Sequence, residues 1–141
     1  MHLEIEKTVK APLKVVFDWW TELRPEDANL VKPLKNRRIV KKEGGVILAE
    51  DFVKILGRSM KYSVKVTLKP PDVWIAEYSG RVADAVSTYR LIETPDGTKI
   101  FYTSEIKPKG MFTRLVSPFI KGLVRRVFEK EMNDYNQALE E

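Results

Sequence analysis

A carboxylate in the middle of a predicted strand has the clearest capacity for chemistry in this chain. Asp51 follows Glu50 directly, and a regular strand can direct only one of two adjacent side chains to the interior. Asp51 shares its alternation with the apolar residues of the same strand, so we expect it to face inward. A β-bulge would reverse that assignment and bring Glu50 inside. An inward Asp51 could anchor the polar end of a ligand, or act as an acid or base.

Aromatic side chains are the other candidates for a site. Strand alternation predicts that four tyrosines face the interior, and helical spacing places Trp20, rather than Trp19, on the inward face of the first helix. From the last predicted helix we expect Phe119 and Leu123 to reach the same space. The predicted ligand-binding residues are Trp20, Asp51, Tyr62, Tyr78, Tyr89, Tyr102, Phe119 and Leu123.

Each of these residues also has a purely structural interpretation. A buried carboxylate is costly unless donors, a ligand or water satisfy it, or its pKa rises. Tyrosine hydroxyls, Arg58 or Arg81 could satisfy Asp51 without any ligand. The tyrosines could equally form part of an ordinary core.

Other kinds of catalytic centre are not indicated. The single histidine, His2, stands at the start of the sequence, and the chain has no cysteine. These facts exclude a histidine-based triad, a thiolate nucleophile and cysteine-ligated metal. We therefore assign no catalytic residue, apart from Asp51 if the protein is an enzyme, and we expect no metal and no cofactor.

Length and composition are typical of a single globular domain spanning residues 1–141. Hydrophobic residues make up 43% of the chain and charged residues 32%. The sequence contains no apolar run of the roughly 20 residues that a membrane-spanning helix needs. Acidic residues interrupt the N-terminal region from Glu4 onward, which does not match a cleavable signal pattern. On these grounds we expect a cytoplasmic protein.

A mild excess of positive charge, +5, is concentrated in one strip of the sequence. The strip is either a solvated strand and loop or a docking surface for a membrane or an acidic partner. No helix-turn-helix, zinc-finger or aromatic RNA-binding pattern accompanies it, so nucleic-acid binding is not favoured. Its basic residues are Lys32, Lys35, Arg37, Arg38, Lys41 and Lys42.

The order of predicted elements is a strand, two short helices, six strands and a long helix. Helix one ends before Pro25, and a second short helix is predicted from about Glu26 to Val31. The helical pattern returns near Gly110, where Pro118 marks either a helix start or a kink. This order predicts an α+β fold in which a curved, seven-stranded antiparallel sheet wraps around the C-terminal helix and encloses space. The six predicted strands after the helices are 36–42, 46–55, 59–68, 73–79, 82–93 and 99–107.

This pattern resembles the helix-grip fold of the START/Bet v 1-like (SRPBCC) superfamily, and within it the polyketide cyclase/dehydrase and coenzyme Q-binding groups. The resemblance covers essentially the full chain, but its motifs are structural, so it leaves the function open. Its members, as the resemblance implies, include lipid carriers, hormone receptors, cyclases and ribosome-associated proteins. The residues that carry it are Ile5, Ala11-Pro12, Val15-Val16-Phe17, Tyr89-Arg90-Leu91, Asp96-Gly97-Thr98-Lys99, Gly110, Leu115, Pro118, Leu123 and Phe128-Glu129.

Three functions are consistent with the sequence. The first is binding or carriage of a small hydrophobic ligand, such as a lipid, an isoprenoid or a polyketide-like molecule, with the loop at 107–112 as a gate. The second is a polyketide cyclase-like enzyme that uses Asp51 and a pocket tyrosine to move protons. The third is an interaction module that uses the basic strip against a membrane, a ribosome or an acidic partner.

Overall fold

A seven-stranded antiparallel sheet accounts for most of the structure. The computed structural model describes residues 1–24, 34–55 and 57–140. The strand order across the sheet is β1-β7-β6-β5-β4-β3-β2, so six consecutive strands form a meander and β1 pairs with β7. The strands are β1 (His2–Val9), β2 (Leu34–Glu43), β3 (Val46–Ile55), β4 (Arg58–Lys69), β5 (Val73–Gly80), β6 (Ala83–Thr94) and β7 (Gly97–Pro108). The predicted seven-stranded antiparallel sheet is confirmed.

Glycines determine two of the hairpin turns. Gly44 and Gly45 form the two-residue loop between β2 and β3, and both have positive φ (58° and 78°). A type I′ turn needs positive φ at both central residues, which glycine adopts without steric cost. Gly97, at the start of β7, lies so close to the Val9 carbonyl that any Cβ there would collide with it. This contact seats the β6–β7 hairpin against the end of β1.

A short helix, α1 (Leu13–Thr21), follows β1 after a tight turn. Pro12 precedes its first residue with an extended backbone, which suits a residue that has no N–H to donate. Val16 and Phe17 are buried against the sheet, and the Thr21 hydroxyl donates to the Phe17 carbonyl. The second predicted short helix falls at 26–31, outside the described residues.

The long C-terminal helix, α2 (Met111–Glu140), contains Pro118 within its length. It packs against β1 and β7 through its second half, where Met132 is buried. Its contact with α1 is aromatic and hydrogen-bonded: Tyr135 lies 4.6 Å from Trp20 between ring centroids, and Trp20 Nε1 donates to Asn136 Oδ1 at 2.9 Å. These contacts hold the two helices together on one face of the sheet.

The core lies between that face of the sheet and the two helices. Alternate residues of each strand point to it, as a strand period of two requires. Its fully buried members include Leu3 on β1, Val16 on α1, and Leu91 and Ile100 on the central strands. This is the helix-grip arrangement that the sequence predicted, and the core continues directly into the wall of a cavity.

Candidate functional site

A cavity of about 160 Å³ lies between the sheet and α2. A smaller cavity of about 60 Å³ shares six of its lining residues, so the two form neighbouring compartments of one space. The larger cavity is lined by Trp20, Leu34, Arg37, Asp51, Val53, Tyr62, Tyr78, Ala83, Ala85, Ser87, Tyr89, Tyr102, Ser104, Ile106, Phe128, Glu131 and Met132. Every strand from β2 to β7 and both helices contribute to this wall.

Packed aromatic rings form the apolar part of the wall. Trp74 and Tyr89 stack nearly parallel, with ring centroids 4.8 Å apart. Tyr89 in turn lies 5.0 Å from Tyr102 and 5.5 Å from Trp20. Aromatic pairs at such distances stabilise one another beyond the area they bury. The wall is therefore a packed aromatic surface with hydroxyl groups along it.

Asp51 lies inside, as strand alternation predicted, and it pairs with Arg37. Arg37 Nε donates to Asp51 Oδ1 at 2.8 Å and Arg37 Nη2 donates to Oδ2 at 3.1 Å, which is a bidentate arrangement. The two side chains are 13% and 9% exposed, so this ion pair is largely removed from water. Glu50 points the other way and pairs with Arg38 and Lys61 on the outer face.

A bulge in β2 brings Arg37 to Asp51. Lys41 pairs with Leu48 next to the turn, but Ile39 pairs with Ala49, so the register shifts by one residue between them. A regular hairpin would have placed Arg38 opposite Asp51, whereas the shift places Arg37 there. The prediction that Arg37 belongs to an exposed basic strip was therefore wrong. Nor are Arg58 or Arg81 the partners of Asp51 in the structure.

Glu131 is a cavity carboxylate that the sequence reasoning missed. It projects from α2 into both compartments, and within the described residues no donor hydrogen-bonds to it. Burial raises the pKa of its carboxyl from 4.5 to about 7; nearby Arg37 opposes that rise and Asp51 adds to it. A carboxyl with a pKa near 7 changes charge under physiological conditions. Its position on the inward side of the helix, three residues after Phe128 and four before Tyr135, was the available signal.

Hydroxyl groups form a second polar patch in the wall. Ser87 Oγ donates to Ser104 Oγ at 3.0 Å and lies 3.2 Å from the Tyr102 hydroxyl. Burial raises the pKa of Tyr102, and it raises the pKa values of Tyr78 and Tyr89 as well. These phenols therefore stay neutral at physiological pH and offer O–H donors to the cavity.

Six of the eight predicted ligand-binding residues lie together in this wall: Trp20, Asp51, Tyr62, Tyr78, Tyr89 and Tyr102. Their role in binding stays a prediction. The expectation that Phe119 and Leu123 reach the cavity was wrong, because they are 86% and 43% exposed. The helix meets the cavity one to two turns later, through Phe128, Glu131 and Met132.

Metal binding finds no support in the part of the chain described. There, no three histidine, aspartate or glutamate side chains converge as a metal site would require. Asp51 and Glu131 both face the cavity, but Asp51 is already paired with Arg37.

Comparison with solved structures identifies the fold. The Zhui aromatase/cyclase from Streptomyces sp. R1128 matches 99% of this chain and 93% of its own, with a TM-score of 0.87 and 15% identity. A protein from Thermus thermophilus matches 99% and 94%, with a TM-score of 0.80 and 13% identity. Ara h 8.0201 matches 99% and 97%, with a TM-score of 0.71 and 16% identity.

These likenesses show that the chain has the helix-grip fold that the sequence predicted. No family model matches the sequence, and no curated protein is similar to it. At identities of 13–16% the comparisons carry the fold alone, so the function is argued from the cavity.

Proposed function

We propose that the protein binds a small, mainly hydrophobic molecule in the cavity between the sheet and α2. The observation that carries this proposal is the aromatic wall around about 160 Å³ of space, interrupted by a few polar groups. Ligand sites in proteins are typically concave and apolar, with a small number of polar groups that orient the ligand. The fold is shared with an aromatase/cyclase and with Ara h 8.0201, which is consistent with this use.

The volume limits the size of the ligand. Drug-sized sites occupy roughly 300–1,000 Å³, whereas an apolar cavity of roughly 150 Å³ holds a single benzene ring. At about 160 Å³ the cavity has room for one ring with short substituents. A ligand that also filled the neighbouring compartment of about 60 Å³ could be only slightly larger. A long isoprenoid or acyl chain would need the walls to move apart.

The polar groups favour a ligand with one hydrogen-bonding end. Glu131 offers either a proton or a negative charge near neutral pH, and Tyr102 with Ser87 offers hydroxyl groups on the sheet side. The Arg37–Asp51 pair is electrically balanced, and each partner satisfies the other. A phenol, an alcohol or a carbonyl compound of one ring fits this chemistry.

Filling the cavity from within tests the proposal. Ala85 lines the cavity, whereas Val86, the next residue of β6, is 45% exposed on the opposite face. Isothermal titration of a series of one-ring phenols should show binding to the wild type and to Val86→Leu, but at least about tenfold weaker binding to Ala85→Leu. Equal affinity of all three proteins, or no binding by the wild type, would refute the cavity as the site.

A cyclase-like enzyme is the second candidate, and a specific observation favours it. Glu131 has a pKa of about 7 inside an apolar cavity, close to the value at which a general acid or base is most effective. Both carboxylate oxygens of Asp51 are occupied by the bidentate contact with Arg37. In an enzyme of this kind, Glu131 would exchange the proton and Tyr102 would hold the substrate oxygen.

Turnover of a ring-forming β-diketone distinguishes this alternative. An enzyme would lose at least about a hundredfold in kcat on Glu131→Gln, because general acid–base catalysis contributes roughly 10²–10⁴-fold. The Glu77→Gln control changes an exposed carboxylate and should keep full activity. If the wild type shows no turnover above the buffer rate, the proposed cyclase activity is excluded. The binding proposal is unaffected by that result.

The basic strip supports an interaction module less well. Arg37 is turned into the cavity, and Arg38 pairs with Glu50, which also holds Lys61. Lys41 pairs with Glu43 as well, so three of the strip's six basic residues are engaged with carboxylates. Lys32 lies outside the described residues.

A further inference from the structure

The first half of α2 exposes a row of large apolar side chains. Met111, Leu115 and Phe119 are 88%, 69% and 86% exposed, and Leu123 is 43% exposed. They follow one another every four residues, which places them about one turn apart along the same side of the helix. We call this row of four residues the α2 stripe. Its spacing puts it on the side of the helix opposite Phe128 and Glu131, which face the cavity.

The surroundings of the α2 stripe are strongly basic. Residues 107–126 contain six lysines and arginines and no aspartate or glutamate. Arg114 and Arg126 are exposed and lie three residues after Met111 and Leu123, which places them next to the stripe on the helix surface. Lys109 pairs with Asp84 and Arg125 with Glu129, whereas Lys107, Lys121 and Arg126 form no ion pair with any described residue. A contiguous apolar row beside unneutralised cations marks an interaction surface.

We propose that the α2 stripe docks the protein on the surface of an anionic lipid bilayer. The four apolar side chains would enter the boundary between headgroups and acyl chains, and the flanking cations would contact lipid phosphates and carboxylates. Helices that lie in a membrane interface combine a face of large apolar residues with a face rich in lysine and arginine. Within the described residues no helix is long and apolar enough to cross a membrane, so α2 would lie on the surface.

Charge favours an anionic bilayer, rather than a second copy of the chain, as the partner of the α2 stripe. A two-fold dimer through the α2 stripe would bring two segments of six cations each against one another, with no carboxylate inside either segment. Like charges placed opposite each other cost free energy, whereas an anionic bilayer supplies the missing counter-charge. The proposal is independent of the cavity ligand, because none of the four stripe residues lines the cavity.

Vesicle flotation tests the proposal with the full chain. The probe is vesicles of phosphatidylcholine containing about 30% phosphatidylserine, compared with vesicles of phosphatidylcholine alone. We expect binding to the anionic vesicles at least about tenfold tighter than to the neutral ones, and a decrease as salt rises to about 0.5 M. Binding should fall at least about tenfold in Phe119→Ser. The matched control Ile92→Ser, at an exposed apolar strand residue, should bind like the wild type.

Three results would overturn the proposal. The first is no flotation with the anionic vesicles at low salt, and the second is equal flotation of Phe119→Ser and the wild type. The third is a concentration-dependent dimer in sedimentation velocity that Phe119→Ser dissolves, because the α2 stripe would then be an interface between copies. A double charge reversal, Arg114→Glu with Arg126→Glu, should abolish the preference for anionic vesicles. Both side chains are exposed, so this variant leaves the core intact.

Discussion

Substitution of Glu131 by glutamine should make the protein more stable above about pH 4.5, and most of all at neutral and alkaline pH. Glutamine has nearly the shape of a protonated glutamate, so the change keeps the packing and removes only the ability to ionise. In the unfolded chain the carboxyl ionises with a pKa near 4.5, whereas in the folded protein burial raises that pKa to about 7. Between these values the folded state holds a proton that the unfolded state has released.

The sign and the size of the effect follow from this difference. Because the folded state binds more protons, the free energy of unfolding of the wild type falls as pH rises from about 4.5 to about 7. Above pH 7 the contribution of Glu131 to this free energy no longer changes with pH. A tenfold change in an equilibrium corresponds to about 1.4 kcal/mol, so the ionised carboxylate lowers stability by at most about 3 kcal/mol. Glu131→Gln avoids that loss.

Urea unfolding followed by tryptophan fluorescence measures the effect. The free energies of wild type and Glu131→Gln should agree near pH 4.5, diverge with rising pH, and differ by about 2–3 kcal/mol at pH 8. Glu77→Gln, at an exposed carboxylate on the outer face of β5, controls for the loss of one negative charge. A difference between wild type and Glu131→Gln that stays constant from pH 4.5 to pH 8 would refute the reasoning.

Three further effects can be measured with the same unfolding assay. Arg37→Met should lower the free energy of unfolding by about 3 kcal/mol because it leaves Asp51 buried without its cation. Combining Arg37→Met with Asp51→Leu should recover most of that loss. Arg38→Met, at a 69% exposed side chain, should lower the free energy of unfolding by under about 1 kcal/mol. Equal losses in Arg37→Met and Arg38→Met would contradict the burial of the pair. Gly97→Ala should lower the free energy of unfolding by at least about 2 kcal/mol, because its Cβ would collide with the Val9 carbonyl of β1. Gly44→Ala, with open space around it, should lower it by about 1 kcal/mol from its positive φ alone. Similar losses in the two variants would mean that the collision with β1 does not determine the effect at Gly97. A cavity ligand at a hundredfold excess over its Kd should raise the free energy of unfolding by about 2.7 kcal/mol, and no rise would mean that it does not prefer the folded state.

The strand meander could be predicted because its signals are local. Each strand alternates apolar and polar residues, and turn residues such as Gly44-Gly45 and Pro95-Asp96-Gly97 separate them. Alternation also fixes which face each residue occupies, which is why Asp51 and the four tyrosines were assigned to the correct side.

The partner of Asp51 could not be predicted because it depends on a bulge. Pairing counted from the Gly44-Gly45 turn gives Arg38 opposite Asp51, and only the one-residue shift near Val40 exchanges Arg38 for Arg37. No feature of the sequence around Val40 marks that shift. A regular register would have left the inward carboxylate next to Arg38, and Arg37 on the outer face.

The long helix was misjudged for a different reason. An apolar stripe along a helix was interpreted as a core face, and this holds for Phe128. It does not hold for Phe119 and Leu123, because the first half of α2 carries apolar residues on the side away from the sheet as well. Periodicity shows which residues share a side of a helix, but not which side meets the core.

Native mass spectrometry of the freshly purified protein tests the central claim, that the cavity holds a small ligand, most directly. We predict a complex of one protein with one molecule of roughly single-ring size, since about 160 Å³ admits little more. Organic extraction should release that molecule, and Ala85→Leu should be purified without it. A wild-type protein that carries no ligand and binds no one-ring compound at millimolar concentration would contradict the claim.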